Sequence, residues 1–271
     1  MAKKTTPATV KNKLPANTDD FSDYAGAGLE NVTSKDLLVP RLTILQALSP
    51  QVNKRKSEYI EGSEVGQIAD VGTGEVFPDG VIFLPVYFRK DYLEWAPRDS
   101  GRGLVAIHSD PAILDQTTRN DRNQPVLANG NYIAETAQFF GLNLSTPDRR
   151  KCFVPMTSTQ LKKARKWNTL ASGEKLTRSD GSQYTPPLFY RTYNLTTAEE
   201  SNNDGDWVGW VITRGDALPE ASAEVLGGDW HNIFEEAKQF LESLRKGEVG
   251  ADVSSMASET PEESSDDGEE M

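Results

Sequence analysis

The sequence predicts a β-rich α+β fold: an OB-like, partly closed antiparallel barrel with a basic helix between strands and a C-terminal helix. Three observations predict it. About six short apolar, β-branched stretches follow one another with irregular loops between them. One of them, Val81–Trp95, is long enough to curve around a barrel. Helical periodicity marks a basic run placed between strands, 156–171, and a terminal segment, 230–246.

Taken in order, residues 1–33 are polar and poor in large apolar side chains, and read as a disordered arm. A single domain is expected over 34–247. Its first apolar stretch, Leu37–Leu45, is interrupted by Pro40, which suits an edge or bent strand; a helix over 41–48 fits the spacing of Leu42, Leu45 and Leu48 as well. Val65–Val71 is a short strand. Within Val81–Trp95, Pro85 belongs at a bulge or edge, because it cannot donate to a ladder. Residues 97–130 read as loop-rich. Strands resume at 132–144 and 151–156, the second leading into the basic run. After an insertion carrying Gly173, Gly181 and Pro186-Pro187, strands return at 188–195 and 207–213. Gly228-Asp229 opens the last helix, whose apolar stripe is Trp230, Ile233, Phe234, Ala237, Leu241 and Leu244. Residues 248–271 carry nine acids and no base, and read as a disordered acidic tail.

Composition narrows the function classes. No apolar run approaches the ~18 residues a membrane helix needs. Cys152 is the single cysteine, so disulfides play no part and a reducing cytoplasm fits. With His108 and His231 the only histidines, no zinc site is expected, and no cofactor. No Gly-Lys-Ser/Thr triplet exists for a phosphate loop. Pro78-Asp79 lacks a nearby Glu-X-Lys to make a metal nuclease, the one such triplet being Glu236-Ala237-Lys238. His108 reads as a loop residue and His231 as a first-turn helix residue. The expectation is a non-enzyme.

The net charge of −12 conceals a polarised chain. Removing the nine tail acids leaves −3, and residues 81–170 hold thirteen Lys and Arg against eight Asp and Glu. On a helical wheel the basic run places Leu161, Ala164, Trp167 and Ala171 on one arc and Lys162, Lys163, Arg165 and Lys166 opposite, with Thr157, Ser158 or Thr159 available as cap. Like charges on adjacent turns repel by a few tenths of a kcal/mol, roughly, so stability alone does not require the cluster. The long strand interleaves Arg89, Lys90, Tyr92 and Trp95, with Arg98 just after it. Cations for phosphates and flat rings for bases are what sequence-tolerant single-strand binding uses. Each of these residues also has a plain reading: a solvated face for the cations, and the core for the aromatics, Trp167 above all. Arg149-Arg150-Lys151 is explained equally well by a hairpin turn.

Leu38–Pro50, Tyr92–Arg98, Gly130–Tyr132 and Thr157–Asn168 together resemble a group of tailed-phage proteins, the single-stranded DNA-binding proteins of replication and recombination modules. The resemblance covers roughly 36–214. It implies an OB-like core that binds single-stranded DNA and an acidic tail that recruits replication or recombination proteins. Members of that class often end in Phe, whereas this chain ends Gly268-Glu269-Glu270-Met271, so docking of a terminal aromatic is not carried over. The sequence is also compatible with a homo-oligomer, with a recombination mediator or annealing protein, and with a protein-interaction module whose acidic end mimics nucleic acid.

Overall fold

The computed structural model describes residues 27–28, 30, 38–97, 100–121, 123–202, 205–226, 228–251 and 253. The disordered arm and tail expected from composition fall almost wholly outside them. Pro40 divides the first apolar stretch into β1 (Leu38–Val39) and β2 (Leu42–Ile44). β2 starts a small meander with β3 (Ile68–Asp70) and β4 (Glu75–Phe77). The helical alternative for 41–48 is not adopted.

The fold is organised on β5 (Val81–Trp95). Residues 97–130, expected to be loop, contain three short strands: β6 (Leu104–His108), β7 (Thr117–Arg119) and β8 (Pro125–Leu127). β9 (Tyr132–Asn143) runs antiparallel along the whole of β5, and β10 (Lys151–Thr157) returns along β9. α1 (Leu161–Ser172) follows, then the hairpin β11 (Leu176–Thr177) and β12 (Gln183–Tyr184). β13 (Arg191–Asn202) folds back onto the start of β5, pairing Tyr193 with Phe83, and β14 (Gly205–Ala217) lies beside it. The order β14-β13-β5-β9-β10 makes a curled half-barrel. The curl has a visible cause. Pro85 lies opposite Gly141, the pairing shifts between Pro85 and Tyr87, and a Cβ on Gly141 would collide with the Leu84 carbonyl and the Phe83 ring.

The open side of the curl, between β10 and β14, is filled by the chain around β2. Arg41 bridges Phe153 in parallel register. The Gln46 side-chain amide then copies a strand residue: its Nε2 donates to the Val208 carbonyl (2.7 Å), and its Oε1 accepts from the Val208 N–H (3.0 Å). Two residues on, the Trp210 N–H donates to Gln160 Oε1 at 3.0 Å. Buried backbone groups need partners, and two glutamines satisfy the edge of β14 where no strand does.

Side-chain alternation along β5, β9 and β10 separates two cores. Phe83, Phe139, Val154, Met156, Tyr193 and Leu195 point into the curl with Ala164 and Trp167 of α1. Leu84, Val86, Phe140, Leu142 and Phe153 point outward, and α3 covers them. After a short α2 (Ala223–Leu226), α3 (Trp230–Arg245) begins at Asp229, whose side chain accepts from the His231 N–H, as Gly228-Asp229 predicts. Its Ile233, Ala237, Phe240 and Leu244 are buried at helical spacing. The ordered chain continues beyond residue 247. β15 (Gly250–Ala251) pairs in parallel with β1, and Val253 is buried in the outer core, so contacts with the body of the fold continue past residue 247.

Candidate nucleic-acid interface

α1 closes one end of the curl and carries the basic run. It is entered through a single 3-10 turn, Ser158–Gln160, with no side-chain cap, so Thr157, Ser158 and Thr159 do not serve as the expected N-cap. Gln160, at the cap position, spends its side chain on β14 instead. Trp167 is fully buried, 4.0 Å from Phe139 in a stacked arrangement and edge-on to Phe83 and Tyr193. It is the plug of the inner core, the plain reading of the two that the sequence allowed. On the opposite face, Lys162, Arg165 and Lys166 are exposed and make no ion pair among the described residues. Lys163 is half-buried and tied to Glu200, which also accepts from Trp207 Nε1 at 2.8 Å. Burial raises the Glu200 carboxyl, but Lys163 and Trp207 outweigh it and hold the group below its ordinary value. The cluster has room because a Cβ on Gly209 would overlap Glu200 and Lys163.

The long strand does not supply the aromatic half of the expected groove. Tyr92 and Trp95, expected as stacking residues, are 6% and 7% exposed, which leaves little ring face open to a base in this conformation. The strand's cations have local duties. Arg89 Nε donates to Asp91 at 2.8 Å, and its guanidinium lies 5.1 Å from the Phe140 ring centre. Asp91 is nearly buried, and desolvation raises its carboxyl despite Arg89 and Gln138. Arg89 is therefore required by a buried carboxylate, which is why a core strand carries it. Lys90 pairs with Glu135 at 2.6 Å. Arg98 lies outside the described residues. Glu94 is held below its ordinary value first by Asn131, and also accepts from His108 at 2.8 Å; His108 thus ends a strand and pins a turn rather than sitting in a loop.

Arg149-Arg150-Lys151 is consumed by the fold. Arg149 meets Glu236 of α3 at 3.1 Å, Arg150 meets both Asp70 and Glu75 at 3.0 Å, and Lys151 lies over the Phe240 ring. At the far end of α1, Glu174 takes two hydrogen bonds from Arg191 (2.6 and 2.9 Å) and an ion pair from Arg214 (3.2 Å). Those bonds hold its carboxyl below the usual value against the opposing effect of burial.

Sequence reasoning passed over one cationic group. Lys54, Arg55 and Lys56 are consecutive, exposed and without ion pairs among the described residues. Glu58, Glu61 and Glu64 cancel them once a window reaches residue 64, so charge counting over longer stretches gives no signal there. Among the described residues no group of His, Cys, Asp and Glu is placed to hold a metal ion, and no helix is long and apolar enough to cross a membrane.

A β-rich half-barrel, closed at one end by a basic helix and overlaid by a second helix, is the class of architecture this chain presents. Residues 7–250 match the family described as Pam3 phage gp34-like protein, and the chain belongs to that phage protein family. No curated protein and no solved structure matches it.

Proposed function

We propose that this phage-family protein is a non-enzymatic single-stranded DNA-binding protein of replication or recombination, largely indifferent to sequence, built on an OB-type barrel. The strand path supports the OB reading. β5, β9 and β10 form a meander, α1 follows the third strand, and β13 returns to the first. The observation that carries the binding reading is the exposed face of α1, where Lys162, Arg165 and Lys166 face solvent with no ion pair among the described residues. OB proteins commonly bind along their second and third strands. In the counterparts here, β9 and β10, the outward Phe140, Leu142 and Phe153 share one buried core with α3, so the proposed interface is the α1 end of the barrel. The acidic residues after 253 would compete weakly for that face and meet replication or recombination proteins when displaced.

A second reading, a protein-interaction module, draws on that same covered face and on the burial of Tyr92, Trp95 and Trp167. Fluorescence polarisation with labelled oligo-dT, titrated with salt, separates the two. A DNA-binding protein prefers oligo-dT to duplex, and its log affinity falls by about 0.7 per neutralised phosphate per decade of salt. The variant K162A/R165A/K166A should lose up to about two units of that slope with its melting temperature kept. Absence of salt-dependent oligo-dT binding by the intact protein would leave the interaction module as the answer.

A further inference from the structure

We infer that the loop bearing Lys54, Arg55 and Lys56 belongs to the same face as α1, so that one nucleic-acid strand crosses the edge of β14 between them; this rests on the single-strand reading proposed above. The two cationic groups are far apart in sequence and hang from neighbouring points in space. Gln46 is anchored on Val208 and Gln160 on Trp210. Those anchors are two residues apart on one strand, which is about 6–7 Å. From Gln160 the chain enters α1 directly, bringing Lys162, Arg165 and Lys166.

From Gln46 the chain turns at once. The Ser49 N–H donates to the Gln46 carbonyl, and Ser49 Oγ accepts from the Gln46 N–H. A 3-10 turn, Pro50–Val52, follows. The Ile60 N–H then donates to the Gln51 carbonyl at 2.9 Å and closes a loop. The Lys56 N–H reaches the Asn53 carbonyl, also at 2.9 Å, so Lys54, Arg55 and Lys56 sit at the tip. Glu61 and Glu64 come after the closure, and Glu58 accepts from the Ser57 hydroxyl. Over residues 54–64 the charges sum to zero, but within the closed loop only Glu58 faces the three cations, drawn toward Lys56, so the loop keeps a net positive charge of two. Leu48, in the turn itself, is 81% exposed, and half-buried Trp207 adjoins the anchor at Val208. Cations on both sides of a partly apolar saddle suit a strand with phosphates outward and bases against the saddle.

The test is oligo-dT binding by the full chain and by K54A/R55A/K56A, on oligomers of about 20 and about 6 nucleotides, since site sizes for one OB fold run from roughly 4 to 16. On the longer strand the variant should bind roughly tenfold more weakly at low salt and lose one to two units of salt slope, about 0.7 per phosphate. On the shorter strand, which offers fewer phosphates to the two groups together, the loss should be smaller. Melting should not change, because all three side chains are exposed. A variant with wild-type slope and affinity, where K162A/R165A/K166A has lost both, overturns this inference and leaves the single-strand reading standing. Failure of the intact protein to bind either oligomer overturns that reading, and this inference with it.

Discussion

At the scale of single residues, Trp167 and Glu174 show how the α1 end is held. Trp167 touches three aromatic rings in the inner core, so W167A removes one of the largest buried side chains. The expected cost is about 3–5 kcal/mol, visible in chemical denaturation. A variant as stable as the wild type would show that α1 does not plug the curl. Glu174 links two arginines of β13 and β14 to the end of α1, and its folded carboxyl lies below the ordinary value. A depressed carboxyl stabilises the fold above its unfolded pKa, about 4.3, and that stabilisation fades as pH falls through the folded value. E174Q should therefore be less stable at neutral pH by about 1–3 kcal/mol. The melting curves of variant and parent should converge in acid. A gap that persists there would mean that Glu174 acts through packing rather than charge.

At the scale of elements, α3 and the strand after it are part of the folded unit. Ile233, Phe240 and Leu244 are buried in one core with Phe140, Leu142 and Phe153, and fully burying one such side chain contributes roughly 1.5–3 kcal/mol. A helix bound that firmly is not a lid over β9 and β10. The end of the chain divides accordingly. Removing 248–271 takes away the pairing of Gly250 and Ala251 with β1 and the burial of Val253, and should lower the melting temperature. Removing only 254–271 deletes seven acids and none of the described contacts, and should leave melting unchanged. If those acids compete for a basic face, the shorter deletion should strengthen oligo-dT binding at low salt. The gain should shrink toward about 0.1 M, where the screening length is about 10 Å. Equal affinities at low salt would end the competition argument.

At the scale of the whole molecule, the charge map differs from the one the sequence suggests. Of thirteen cations between residues 81 and 170, several serve the fold: Arg89 answers Asp91, Lys90 answers Glu135, Arg150 answers Asp70 and Glu75, and Lys163 answers Glu200. Those left facing solvent on α1 have an exposed counterpart outside that window, Lys54–Lys56. Salt dependence of oligo-dT binding is thus expected from Lys162, Arg165 and Lys166, and not from Arg89 or Lys90. R89A should instead lower stability, because it strands a nearly buried carboxylate. An R89A protein that melts normally yet binds oligo-dT more weakly would return the interface to the long strand.

Local patterns determined much of this. The length of Val81–Trp95, the bend at Pro85, the basic run between strands, and the stripe with its Asp229 cap follow from spacing and turn chemistry, which act over a few residues. The wheel that places Trp167 opposite the lysines also holds. Tertiary structure decided what local patterns cannot carry. A strand's alternation says that two faces differ, but both faces of β5, β9 and β10 are cores here, so Tyr92 and Trp95 are interior on a strand that also bears charge. A cation's partner is set by contacts across the chain, such as Lys163 with Glu200, and no charge count over a window contains that distance. Gln46 and Gln160, far apart in sequence, bind points two residues apart on β14, a coincidence in space that no local pattern contains and on which the proposed pairing of the Lys54–Lys56 tip with α1 rests.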